Sequence, residues 1–537
     1  MEKQAGMSYA SSFRDQFTWR AVILGAIGSA IITTSSMYVA LRMGALPWPT
    51  IFVAILSLTV LKALGRTNLN EINVTHTAMS AGGMVAGGVA FTIPGIWMLD
   101  KNAAVGLWPL LTVALAGTVL GVILVASIRR HFIEVEELPF PMGIAAAETV
   151  LAGDEGGQKA KWLFGSLGAA ALLTALRDQW QKIPGAWTPP ALWSRNIQFG
   201  LWVSPMAVGI GYLIGPFFTG TWFLGAALSY LLFIPLAVNG GYLSMEAATA
   251  LKNSLGIGLI VGAGVGVLLK GVLPRAREIF GPLLGGKGDI NLRWAPLTVA
   301  AIIFLLTTVA GIGFLPTLVT VLGVWVTTAM AATLDGQTGI DPMEIFGILV
   351  LLAVKLFWQP DATAAFFVAA VVAVACGLAG DNLQDFKSGY ILKTQPRAQV
   401  YAELIGGVVG ALVAVVVLFV MHRAYGAMGP GTELVAPQAY AVSTMVSGLP
   451  NPPAFLVGLV AGAVLYFLGV PSMTIGIGIY LPMFISTTAA LGGLARWVVD
   501  KRWPGWNERG QLISSGFLGG EGVTGVVIAL VRVFTGA

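Results

Sequence analysis

Two stretches of this chain, 50 residues from Asn196 to Met245 and 62 residues from Leu434 to Ala495, contain no Asp, Glu, Lys or Arg. A bilayer core about 30 Å thick is crossed by roughly 20 apolar residues of helix, so each stretch is long enough to cross at least twice. The rest of the chain agrees: 56% of its residues are hydrophobic, 10% are charged and the mean hydropathy is +0.82, which no water-soluble domain of 537 residues would carry. The apolar runs are continuous for 17 to 28 residues rather than alternating in segments of about ten, as barrel strands would. The expected fold is an all-α polytopic membrane protein. Its 69 glycines predict close helix packing, because small residues let backbones approach in lipid, and some should break helices.

A net charge of +5 and a pI near 9.2 would suggest nucleic acid in a soluble protein. Here the basic residues punctuate apolar spans, so no nucleic-acid partner is expected and the positive-inside rule applies. Lys3, Arg14 and Arg20 precede the first span with no small-residue cleavage site after it, which predicts an uncleaved, cytoplasmic amino terminus in a cell inner membrane. The lone Cys376 excludes an internal disulfide. With His only at 76, 131 and 422, neither a protein-built metal site nor a cofactor is expected.

Charge-free segments predict spans near 21–41, 43–61, 72–99, 102–128, 162–176, two within 196–245, 253–269, two within 294–334, 342–358, 362–380, 404–422, two within 434–495, and 513–531. With Leu138–Leu151 as a short, broken or re-entrant helix, the total is about 16, within a range of 14 to 17. The loops, including 381–399, are too short for a soluble catalytic domain, and there is no phosphate-binding Gly-x-x-x-x-Gly-Lys-Ser/Thr loop. Asn68 onward (NLNEINVTHTAMSAGG) pairs weakly with Asn382 onward, and Leu138 onward with Leu481 onward. This predicts two duplicated halves, 1–275 and 276–537, as in many secondary transporters.

Ionisable groups inside lipid cost about 2.5 to 3.5 kcal/mol each on insertion scales, so they are the candidates for function. Glu148, after Pro139 and Pro141, and Glu246, after Gly240-Gly241, are the first choices for carrying a proton, followed by Glu403 and Glu521. Each also suits a helix terminus or the membrane interface. The run Asp335-Gly-Gln-Thr-Gly-Ile-Asp-Pro-Met-Glu344 predicts an unwound break with Asp341 as a helix cap. Gln337, Thr338, Asp341, Glu344, Asn73 and Tyr480 are the candidate substrate ligands. Asp385, Lys387 and Tyr390 are expected in a gate or solvated loop.

NEINVTHTAMSAGGMVAGGVAFTIP (Asn70 to Pro94), GQTGIDPMEIFG (Gly336 to Gly347), GDNLQDFKSGY with the later Pro396-Arg397, and GIGIYLPMFIST (Gly476 to Thr487) resemble the oligopeptide transporter (OPT) family over nearly the whole chain. The likeness is to its prokaryotic branch near the Yellow Stripe-like metal-chelate transporters. That resemblance implies about 16 helices made by successive duplication, and proton-coupled import of short peptides or metal chelates. Eukaryotic peptide-transporting relatives carry Lys-Ile-Pro-Pro-Arg where this chain has Lys393-Thr-Gln-Pro-Arg397, so peptide specificity does not carry over.

The expected function is therefore a multi-pass symporter, not an enzyme, moving a small peptide or metal chelate by alternating access with protons. Sodium is not excluded, and a homodimer is left open. The alternative is an intramembrane enzyme acting on a lipid or polyprenyl substrate, for which Glu134, Glu136 and Glu137 beside Arg129, Arg130 and His131 form the acid-base cluster.

Overall fold

Polar caps and prolines divide the apolar stretches into helices. Thr18, Asn68, Ser204, Ser244, Asp361 and Asn451 each accept a hydrogen bond from a backbone N–H of the turn that follows, worth about 1 kcal/mol apiece. Pro94, Pro205, Pro216, Pro396 and Pro452 open helices where a missing N–H costs nothing.

The computed structural model describes residues 9–44, 46, 50–151, 156–275, 293–338, 341–448 and 451–535. In chain order the first helices are α1 (Trp19–Met43), α2 (Thr50–Ala63), α3 (Leu69–Ala90), α4 (Pro94–Leu99), α5 (Leu107–Arg130), α6 (Pro141–Leu151), α7 (Gly156–Thr174), α8 (Pro205–Ile214), α9 (Pro216–Ala227), α10 (Ile234–Asn239) and α11 (Met245–Val267). There follow α12 (Ala295–Thr308), α13 (Phe314–Thr338), α14 (Met343–Phe357), α15 (Ala362–Ile391), α16 (Pro396–Tyr425), α17 (Pro437–Ser447), α18 (Pro452–Phe467), α19 (Ser472–Tyr480), α20 (Met483–Arg502) and α21 (Asn507–Thr535). A two-stranded antiparallel ladder, Ala186–Trp187 with Leu201–Trp202, is the only sheet among the described residues. Eight helical stretches among those residues are long and apolar enough to cross a bilayer.

Unit 1 comprises Met1–Lys161, Gly271–Val446 and Arg532–Ala537; unit 2 comprises Trp162–Lys270 and Ser447–Val531. Both sequence halves contribute to both units. In unit 1 every residue of α3 is buried, as are nearly all of α15. Helices buried on every side, polar residues included, stand in the middle of a bundle, and these two form its axis.

Helices cross at glycines, and the crossings come in matched pairs. On α5, a Cβ at Gly117 or Gly121 would strike the carbonyls of Val371 or Ala375 on α15; on α16, one at Gly406 or Gly410 would strike Ala78 or Gly82 on α3. Val371 and Ala375 stand 293 residues after Ala78 and Gly82, while Gly406 and Gly410 stand 289 after Gly117 and Gly121. Unit 2 behaves likewise. Gly211 meets the carbonyl of Ala489 and Gly492 that of Val208, between α8 and α20; Gly478 meets that of Trp222 and Gly225 that of Ile475, between α19 and α9. Every residue of the first crossing maps onto the second by a displacement of 267. The spacings read from the motifs, Asn68 with Asn382 and Leu138 with Leu481, are not those of these crossings.

Two further expectations are corrected. The block Leu434–Ala495, expected to hold two continuous spans, is divided into α17, α18, α19 and most of α20, because Pro437, Pro452, Pro471 and Pro482 interrupt it and a proline cannot continue a helix. The segment 381–399, expected as a loop, is helical to Ile391 and again from Pro396. In unit 2, α8 stops at Ile214 before Gly215 (φ +91°) and Pro216, and α19 stops at Tyr480 before Leu481-Pro482. Both are half-helices with their last carbonyls lacking partners within the helix.

Candidate functional site: a buried carboxylate cluster

The last three turns of α15 carry Asp381, Asn382, Gln384, Asp385 and Ser388, all fully buried or nearly so. Four-residue spacing sets Asp381 and Asp385 one above the other on one helix face. Across from them α16 supplies Glu403, also fully buried. Each of the three carboxylates offers an oxygen within 4.8 Å of the other two.

Helix α3 closes the site. His76 Nε2 lies 3.4 Å from Asp385 Oδ1, and the Ser80 hydroxyl donates to Asp385 Oδ2 at 2.7 Å. Gln399 of α16 donates to the Asp385 carbonyl at 2.6 Å and reaches Thr77 Oγ1 at 3.4 Å. With its amide nitrogen toward Glu403, Asn382 donates to both Glu403 oxygens at 2.5 and 3.1 Å and to the Leu378 carbonyl at 3.0 Å. Gln384 bridges outward, donating to Asp335 Oδ2 of α13 at 2.8 Å and accepting from Gly143 N of α6 at 2.8 Å.

Two unit charges 4.8 Å apart repel by about 3.5 kcal/mol at an effective dielectric of 20. Three ionised carboxylates in this dry setting are therefore incompatible with one imidazole as the neighbouring base. The arrangement is chemically suited to hold protons or a bound cation, and to exchange them when the helices move.

The other sequence candidates are distributed as follows. Asn73 is buried beside the cluster and donates to Ser388 Oγ at 2.7 Å. Glu344 is buried in the first turn of α14. Asp341 caps nothing among the described residues: Pro342 precedes α14, and both Asp341 carboxylate oxygens are buried with no described hydrogen-bond partner. The side chains of Gln337 and Thr338 lie outside the described residues. Lys387 is half-buried and donates to the Leu138 carbonyl at 3.0 Å, and Tyr390 is exposed. Glu148 on α6 is exposed, as is Glu246 in the first turn of α11, where a negative charge suits the helix dipole.

Two candidates belong to unit 2. Tyr480 ends α19. Glu521 is fully buried but committed: Oε1 is 2.8 Å from Arg177 Nη1, and Oε2 accepts from Ser204 Oγ and Met206 N, both at 2.9 Å. The acid-base cluster of the enzyme alternative is tied up in unit 1, with Arg129 2.9 Å from Glu134 and His131 3.5 Å from Glu136.

The sequence matches the family described as OPT oligopeptide transporter protein over residues 16–279 and 287–532. The chain belongs to the oligopeptide transporter family. A Haemophilus influenzae protein named provisionally as an oligopeptide transporter is 26% identical over 588 aligned positions, covering 92% of each chain. Shorter stretches match plant proteins: a metal-nicotianamine transporter of Arabidopsis thaliana, YSL2 (33% over 89 residues, 15% of this chain and 13% of the relative), and the provisionally named metal-nicotianamine transporter YSL10 of Oryza sativa subsp. japonica (28% over 180 residues, 28% and 26%). This family consists of membrane transporters, so the chain is a multi-pass transporter and the enzyme alternative falls.

Proposed function

We propose that this transporter imports short oligopeptides or peptide-like metal chelates across the cytoplasmic membrane by alternating access, coupled to protons, with its amino terminus on the cytoplasmic side. The carrying observation is the cluster of Asp381, Asp385 and Glu403 beside His76: a set of buried acids that must be neutralised is a device for taking up and releasing cations. Glu403, with Asp381 and Asp385, takes the coupling role in preference to Glu148 and Glu246, whose exposure removes the reason for choosing them, and to Glu521, whose oxygens are already engaged. The substrate class follows the relatives' names. The matched crossings support two duplicated halves of about eight helices each, the architecture in which two repeats move against each other around a central solute.

The test is uptake into proteoliposomes of a mixed short-peptide pool and of iron and nickel chelates, with and without an imposed inward proton gradient. Accumulation that needs the gradient and is lost in Glu403→Gln is expected. Accumulation indifferent to the proton gradient, or driven instead by sodium, overturns proton coupling.

A further inference from the structure

Lys252 lies two turns into α11, and its side chain is buried. A lysine on a membrane helix ordinarily runs its stem along the surface and keeps its ammonium in water. Lys252 turns inward instead. Its Nζ donates to Asn253 Oδ1 at 2.7 Å and to the Ile479 carbonyl at 3.0 Å, and stands 4.5 Å from the centre of the Tyr230 ring. All three partners are neutral, and no described carboxylate pairs with it. The other buried cation of unit 2, Arg177, is held by two carboxylates, Asp178 and Glu521.

The place is as telling as the charge. Ile479 belongs to the final turn of α19, the half-helix that breaks at Leu481-Pro482, so its carbonyl is one of those left without a helical partner and carries the negative end of the helix dipole. Tyr230 shares one buried apolar cluster with Met483, the first residue past the break. The matching half-helix, α8, has a cation at the same position: Tyr212, 267 residues before Ile479, offers its carbonyl to Arg496 at 3.2 Å, with the Leu213 carbonyl at 3.0 Å. Arg496, however, is partly exposed and has Asp500 at 3.6 Å. Of two equivalent breaks, one is closed by a cation with its own counter-ion and the other by a cation without one. Paired interruptions of corresponding apolar helices are where transporters of repeated architecture place their solutes, and a buried charge left unpaired is costly enough to need a reason.

We propose that Lys252 is the anion receptor of the transport site, releasing the Ile479 carbonyl to take a carboxylate of the solute when the α19–α20 break opens. A free peptide carboxylate and the carboxylates of an amino-acid-derived chelate present the same chemistry to it. The inference rests on the transport reading above.

The test uses purified full-length protein and three probes: trialanine, trialanine amide, and nickel-loaded nicotianamine. Binding is read in detergent as thermal stabilisation and tryptophan fluorescence, and uptake is read in proteoliposomes. The wild type should bind at least one carboxylate probe tenfold or more tighter than trialanine amide. Lys252→Gln should erase that preference while unfolding at the same temperature or higher, since a buried charge has been removed, and Lys252→Arg should keep part of it. If Lys252→Gln fails to fold, the wild-type comparison decides: amide bound as tightly as both carboxylate probes overturns the inference. Wild-type uptake with an unchanged carboxylate preference in folded Lys252→Gln also overturns the inference and leaves the transport reading standing. Neither binding nor uptake of any probe by folded wild type overturns both.

Discussion

The same substitution, Glu→Gln, should have different consequences at two fully buried glutamates. At position 521 one carboxylate oxygen is ion-paired with Arg177 at 2.8 Å and the other accepts from Ser204 Oγ and Met206 N at 2.9 Å. An amide keeps one acceptor oxygen and points an N–H₂ at a donor on the other side, losing at least one charge-assisted bond of about 1.5 to 3 kcal/mol. Asp178 still compensates Arg177, with contacts of 2.7 and 2.6 Å, which holds the total to about 2 to 4 kcal/mol rather than the upper end for a broken buried pair. At position 403 the carboxylate faces Asp381 and Asp385 within 4.8 Å, each ionised pair worth about 3.5 kcal/mol of repulsion at an effective dielectric of 20. Because the cluster cannot hold three charges at once, Gln stands in for a protonated Glu403 and loses at most one bond from Asn382, so the fold should stay within about 1 kcal/mol of wild type, while proton-driven uptake is abolished. Thermal unfolding in detergent, followed by tryptophan fluorescence and paired with uptake, measures both. If Glu403→Gln destabilised the protein as much as Glu521→Gln, the cluster would be a structural brace and the electrostatic reasoning would fail.

Glu148→Gln and Glu246→Gln should leave uptake within about twofold of wild type at equal surface expression; loss of proton-driven uptake in either would restore it as a coupling residue. Gly406→Ala and Gly492→Ala, which drive a methyl into the Ala78 and Val208 carbonyls, should each cost about 1 to 3 kcal/mol, read as a lowered unfolding temperature. Gly165→Ala, with open space around it on α7, should instead be neutral or stabilise by up to about 1 kcal/mol. Cys376, fully buried with its thiol 3.2 Å from Thr327 Oγ1, should resist a maleimide in the native protein and react only after unfolding.

The membrane class and most helix positions follow from continuous apolar runs, because the bilayer rewards length and lack of charge and little else. The number of pieces was harder to read where prolines subdivide a single charge-free block, as between Leu434 and Ala495. The site was half legible. Glu403 stands out as an acid at the start of a span, but Asp381 and Asp385 sit in a polar stretch that reads as a loop. A usable signal was present, since no proline interrupts Asp361 to Gln395 and the two acids lie four residues apart, as on one helix face. Glu148 and Glu246 show the reverse difficulty: a lone acid in a largely apolar helix carries no sign of which side it faces. The meeting of Lys252 with Ile479, 227 residues away, exists only in the folded chain.

Composing each unit from both ends of the chain has a consequence for biosynthesis. Leu163 and Leu167 of α7 present their carbonyls to Gly516 and Gly520 of α21, and α21 begins at Asn507. At about 5 to 20 residues per second of translation, α7 waits roughly 15 to 70 s in the bilayer before its partner exists. During that interval α8, α9 and α11 also hold their glycine faces against lipid or the insertion machinery. Chains truncated before residue 447 should complete neither the glycine crossings nor the charge pairing of unit 2, and should present Arg177 without Glu521 to whatever quality-control protease surveys the membrane.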